Sequence, residues 1–225
     1  MISWATLVAV VSLFVAAPSL PSDQPIPEEE IDALVEQLVS PNPAPDTKVG
    51  PTAEYPEGYD RKAQKRVRAA QQKLRELGTA AFPHLIKRLN DDRYSFTAQG
   101  LQADKNWTVG QACQHIIDGQ LEPFTGSPWA MGWRFGDDPK RRILRPSYCR
   151  HNGLHSPERA ADWWRAHKDT SLLDLQIESI EWTIAEEAKN PDKYPDEEHK
   201  HMREFLKKAR SAEKPLMWSV PYRAR

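Results

Sequence analysis

The stretch from 60 to 91 constrains the fold more than any other, because apolar residues recur there at helical spacing on both sides of a single glycine. Val67, Ala70, Leu74 and Leu77 fall at i, i+3, i+7 and i+10, and basic residues fill the other faces. Asp60 is a good N-cap for this helix. Gly78 is its natural stop, since glycine takes a positive φ without a Cβ penalty. Thr79 can cap a second helix, whose buried stripe is Phe82, Leu85, Ile86 and Leu89. Pro83 is tolerated there because it falls near the first turn, where backbone donors have no partner within the helix.

The same period returns along the chain. Ile31, Leu34, Val35 and Leu38 share one helical face after a proline-rich, acidic start. Val109, Ala112, Cys113, Ile116 and Ile117 repeat it, as do Leu173, Ile177, Ile180 and Ile184 with Trp182 beside them. Ser156 and Pro157 suit the start of the helix "SPERAADWWRAHK", and Ser171 suits the cap of the next. A last helix from about 196 to 213 presents Met202, Phe205, Leu206 and Ala209. The expected fold class is therefore all-α, an irregular helical bundle with one long loop inserted.

The pattern "L..LG..A.P.LI..L.D", carried by Leu74, Leu77, Gly78, Ala81, Pro83, Leu85, Ile86, Leu89 and Asp91, resembles a HEAT-type helical repeat. The "VGQAC" of 109–113 is similar to the opening of a following repeat's first helix. The likeness covers about residues 67–117 and implies helix pairs packed side by side. Only one complete unit and part of another are present, whereas a solenoid needs three or more to bury a continuous core. Separately, "WWRAHKDTSLLDLQIESIEWTIAEE" is similar to segments of uncharacterised exported bacterial proteins, a likeness that carries no assigned activity.

Residues 2–17, "ISWATLVAVVSLFVAA", contain no charge and end in small residues. They are too few for a comfortable bilayer span of about 20 residues and fit a secretory signal, read here as 1–22. No Lys or Arg precedes them, so an uncleaved N-terminal anchor is the alternative. Either way the bulk of the chain is expected in the cell envelope or outside the cell. Residues 23–58 then read as a short helix and a linker or extended surface crossing, with prolines at 41, 43, 45, 51 and 56, and 59–225 as the helical domain. In an oxidising compartment the only two cysteines, Cys113 and Cys149, could form a disulfide. The other reading of Cys113 is a small buried hydrophobe on its helix stripe.

The formal net charge of -1 argues against a nucleic-acid coat. It conceals segregation. Residues 60–90 carry nine Lys/Arg against two acids, a net +7, and residues 174–198 carry nine Asp/Glu against two lysines, a net -7. The basic helix could grip an acidic polymer, or be the solvated face of an amphipathic helix.

Residues 119–155 change character, holding five of the ten glycines, four prolines and no sustained helical period. They read as a long ordered loop, with a short strand pair around 141–149. Trp129, Trp133 and Tyr148 beside Arg134, Arg141, Arg142 and Arg145 combine rigid aromatic area with charge, as binding hot spots do. The six expected binding residues are Trp129, Trp133, Arg134, Arg141, Arg142 and Tyr148. The competing reading is that these aromatics plug the loop onto the helices below.

Cys149, His151 and His155 have C-x-H-x3-H spacing, which suits zinc or copper but lacks an evident fourth ligand. No G-x-S-x-G elbow, H-E-x-x-H, phosphate loop or dinucleotide fingerprint is present. The favoured expectation is a non-catalytic protein-binding or scaffold module, with no cofactor and a protein as partner. Membrane contact is expected only if the N-terminal segment stays uncleaved. The alternatives are an exported hydrolase whose acid/base residues converge from separate helices, and a metal-binding protein using Cys149, His151 and His155.

Overall fold

The computed structural model describes residues 26–48, 52–98, 103–123, 133–135, 142–144, 146–194 and 196–217. The described residues are mostly helical. Helix α1 (Glu28–Glu36) follows Pro27 and carries three acids in its first turn, where the positive end of the helix dipole favours negative charge. Helix α2 (Arg61–Glu76) starts at Asp60, whose carboxylate accepts from the backbone N–H of Lys62 and Ala63 at 2.8 Å each. Gly78 takes φ 59° and ends it.

The next segment departs from the expected second helix. Gly78–Ala81 is a 3-10 turn that contains Thr79, and the α-helix that follows, α3, spans only Phe82–Ile86. Pro83, which has no N–H, sits in the first turn of α3, as a proline tolerates only there. Phe82, Leu85 and Ile86 are buried as the spacing predicts, whereas Leu89 lies beyond the helix end, packed against the core but only partly buried.

A two-stranded antiparallel sheet comes next, with β1 (Tyr94–Ala98) paired to β2 (Lys105–Thr108) so that Phe96 faces Trp107. The helical periodicities give no hint of it. It separates α3 from helix α4 (Val109–Leu121), so the expected helix pair does not run directly into a second one. Thr108 and Gln111 form a reciprocal capping box at the start of α4. Gly110 is required there, since a Cβ would lie 2.2 Å from the Leu89 carbonyl oxygen. Strands β3 (Trp133–Phe135) and β4 (Arg142–Leu144) pair antiparallel, and helix α5 (Tyr148–His151) follows. The strand pair expected around 141–149 thus lies earlier, at 133–144, and 148–151 is helical. Helices α6 (Pro157–His167), α7 (Leu172–Ala188) and α8 (Asp196–Arg210) complete the described chain.

One main core joins α1, α2, α3, α4, α5, α6 and α7 through side chains such as Leu38, Leu74, Phe82, Leu85, Ile116, Leu121, Leu154 and Leu175. Each fully buried leucine or phenylalanine contributes about 1.5–3 kcal/mol, enough to bind α1 into the same unit as the helices after residue 59. Ile31, Leu34, Val35 and Leu38 thus share one core with the helices after residue 59. The described parts of the proline-rich stretch, 41–48 and 52–59, run over the surface and are held by side-chain hydrogen bonds. Asn42 Oδ1 accepts from Asp60 N–H at 2.8 Å, Asn106 Nδ2 donates to the Pro45 carbonyl at 2.7 Å, and Ala53 N–H donates to Asp104 at 2.9 Å. Gln64 of α2 ties this crossing to the sheet, accepting from Ser40 Oγ at 2.7 Å and donating to the Ser95 carbonyl at 2.7 Å.

Helix α7 packs the expected Ile177, Ile180 and Ile184 and adds a second apolar face that the periodicity did not show. Leu172, Leu175 and Trp182 face the main core, and Ile177, Ile180 and Ile184 face α8, where they meet Met202, Phe205, Leu206 and Ala209. Between these two faces runs a fully buried polar line of Gln176, Ser179, Thr183 and Glu187, while Leu173 is only half-buried. Gln176 holds the C-terminal segment. Its amide donates to the carbonyls of Gln120 and Leu216 at 2.7 and 3.0 Å, and its Oε1 accepts from Leu216 N–H at 2.8 Å. No helix among the described residues is long and apolar enough to cross a membrane, and the expected signal at 1–22 lies outside the described residues.

Candidate functional site

Helix α4 has two edges. Its apolar edge, Val109, Ala112, Cys113, Ile116, Ile117 and Leu121, is buried. Its other edge carries Gln111, Gln114, His115 and Asp118, at i, i+3, i+4 and i+7, and Glu122 is the C-cap residue just past its end. Because β2 leads straight into α4, Lys105 and Trp107 come to lie over the first two turns of that polar edge. Lys105, Trp107, Gln111, Gln114, His115 and Asp118 line one cavity of about 160 Å³.

The walls are held from behind. Phe96 stacks on Trp107 with ring centroids 5.4 Å apart, and the His115 ring meets Trp107 edge-on at 5.1 Å. Burial, with the Arg75 guanidinium nearby, lowers the His115 pKa to about 4, so its imidazole is neutral at neutral pH. Asp118 pairs with His155 Nε2 at 3.3 Å, and Gln114 Nε2 donates to the same carboxylate at 3.4 Å. Of the two charged residues in the lining one is cationic, Lys105, and one anionic, Asp118.

Just past the end of α4, the C-cap residue Glu122 is buried and does not line the cavity. Its Oε1 accepts from the Cys149 N–H and from Ser147 Oγ, both at 3.1 Å, so this carboxyl sits at the N-terminus of α5. Burial, reinforced by the Asp118 charge, pushes its pKa up to about 7. Two carboxyls with such different environments are the pattern that divides acid from base in a catalytic pair. Here the raised one faces the start of a helix, not the cavity where a substrate would sit.

The residues expected from the sequence fall in different places. Trp129 and Arg141 lie outside the described residues. Trp133 and Arg134 are on β3, and Arg142 is on β4 opposite Phe135. Tyr148 is a correction. It is a buried core residue whose hydroxyl donates to Glu178 at 2.6 Å and accepts from Trp163 Nε1 at 3.3 Å. An aromatic ring with a satisfied polar end packs inward once partners arrive from distant helices.

The C-x-H-x3-H residues diverge. The Cys149 thiol lies against Asp118 and Glu122, the His151 ring tilts against Trp182 at 4.7 Å, and His155 faces Asp118. Among the described residues no three His, Cys, Asp or Glu side chains are grouped to hold a metal ion. Cys113 and Cys149 are free thiols buried in the main core, so the disulfide considered from the sequence is not formed. Burial pushes the Cys113 pKa up to about 12 and that of Cys149 well above the ordinary thiol range, which keeps both protonated and unreactive.

The cavity residues Lys105, Trp107, Gln111, Gln114, His115 and Asp118 were not among the expected site residues. Their helical half was readable as the polar run opposite an apolar stripe; its partner strand was not. Compared with known protein families, curated proteins and solved structures, the chain matches none.

Proposed function

We propose that this chain is an exported, non-catalytic binding or scaffold module, with HEAT-like helix packing over about residues 67–117, that docks an acidic protein surface. The observation that carries the reading is the outer face of α2. Arg61, Lys62, Lys65, Arg66 and Lys73 are exposed there, opposite the buried line of Val67, Ala70 and Leu74. Among the described residues no acid pairs with Lys62, Lys65, Arg66 or Lys73. The two acids of the helix are engaged locally, Asp60 as its N-cap and Glu76 accepting from Gln72 Nε2 at 2.9 Å. A row of cations fixed on a rigid helix raises the encounter rate with an acidic partner and selects against a basic one.

Two variants test it. Lys65→Glu with Arg66→Glu reverses charge on the exposed face and leaves the core untouched. Trp133→Ala probes the aromatic-basic strand pair. Proteins captured from the source envelope by the wild type are expected to be lost with the α2 double variant, and their capture to weaken as salt rises. An unchanged captured set with both variants would reject the module reading.

A further inference from the structure

We propose that the cavity between β2 and α4 is a carbohydrate subsite that takes one neutral sugar ring. This inference does not depend on the α2 docking surface, and the two can fail separately. The lining matches what a sugar presents. A pyranose has an apolar C–H face and a rim of hydroxyls, each both donor and acceptor. Trp107 supplies aromatic area, Gln111 and Gln114 supply amides and Lys105 supplies donors, while Asp118 holds the Gln114 amide in place.

Charge narrows the class. One cation and one anion leave the lining neutral overall, and His115 is neutral at physiological pH because it is buried. An anionic ligand would meet Asp118, and a cationic ligand would meet Lys105. Size narrows it further. About 160 Å³ is well below the roughly 300–1,000 Å³ of sites that enclose drug-sized ligands, so a single ring or the end of a chain fits and a buried oligosaccharide does not. Rigidity is built in as well. Phe96 stacks behind Trp107, and the Gln111 side chain accepts from Thr108 N–H in the capping box at 3.1 Å, so both walls are formed before a ligand arrives.

The test is an NMR titration of the full mature chain, following the indole N–H of Trp107 and the side-chain amide of Gln114. The probes are methyl glucoside, methyl galactoside, N-acetylglucosamine and xylose, each to about 10 mM, with acetate, guanidinium and acetamide as controls. Trp107→Phe identifies the indole signal and retains the stack on Phe96; Gln114→Ala removes one amide from a half-buried helix position. The expected result is saturable shifts of both signals by at least one sugar, with a Kd of about 1 mM weakened about tenfold by either folded variant. Three results would overturn the proposal: no sugar moves these signals, the shifts survive both variants, or only acetate or guanidinium produces them.

Discussion

Helices α2 and α7 are of nearly equal length, yet the periodicity of one shows all of its buried surface and that of the other only part. In α2 the buried residues Gln64, Val67, Ala70, Gln71 and Leu74 form one line and the remaining surface is strongly charged. In α7 apolar residues point two ways, to the main core and to α8, and a polar line between them is buried too. A helix touched on one side shows its orientation in sequence as a segregated pattern. A helix enclosed on three sides loses that contrast, and its pattern no longer says which side is which.

The largest expected effect separates these cases within α7 itself. Leu175→Ala should cost about 2–5 kcal/mol, the same range as Leu74→Ala in α2, because both side chains are fully buried. Leu173→Ala, at the position the periodicity favoured, should cost less than about 1 kcal/mol. Urea denaturation of the three variants measures this. Equal losses at 173 and 175 would mean that α7 is rotated relative to the orientation described above.

Much of the fold was legible for the same reason α2 was. The apolar lines of α1, α2 and α4, the Asp60 cap and the Gly78 stop each depend on residues within one or two turns. The β1–β2 hairpin was not legible, because Ser95 is fully buried by donating to the Leu38 carbonyl at 2.6 Å and so breaks the apolar alternation. Tyr148 misled for a similar reason, since its partners Trp163 and Glu178 lie 15 and 30 residues away. The candidate cavity was half visible. The polar edge of α4 is a local pattern, but Lys105 and Trp107 join it only through the hairpin that the helical reading passed over.

A second prediction concerns pH, and sharpens the point that buried polar groups in the second half of the chain are held by distant partners. The Glu122 pKa rises from 4.5 to about 7 on folding, so between those values the folded state binds the extra proton. Stability is then fully present below about pH 4.5 and is lost as pH rises through about 7, by roughly 3 kcal/mol in total. Glu122→Gln, a neutral isostere, should flatten that slope in denaturation curves taken across pH 5–8. A slope of unchanged size in the variant would assign it to other groups.

Gln176→Leu comes next. It removes three hydrogen bonds and leaves the Gln120 carbonyl and the Leu216 backbone without this partner, at a cost of about 1–3 kcal/mol. Hydrogen exchange should quicken at Leu216 and its neighbours while α2 is unaffected. The opposite pattern would deny Gln176 its role as the anchor of the C-terminal segment.

The smallest effects compare the helix starts. Asp60 accepts from two N–H groups of α2, and Ser171 Oγ accepts from Asp174 N–H of α7 at 3.1 Å. Each alanine substitution should cost about 1 kcal/mol, because each leaves a first-turn donor without its acceptor. Ser156 stands at the start of α6 and looks equivalent in sequence. Its hydroxyl instead donates to Glu158 at 2.8 Å and accepts no backbone N–H, so Ser156→Ala should cost only a few tenths of a kcal/mol. Thermal denaturation of the three single variants decides it. The local start signals of α2 and α7 are then equally strong, which places the difference between the two helices in what surrounds them. A loss at Ser171 far below that at Asp60 would move part of that difference back into the helix's own sequence.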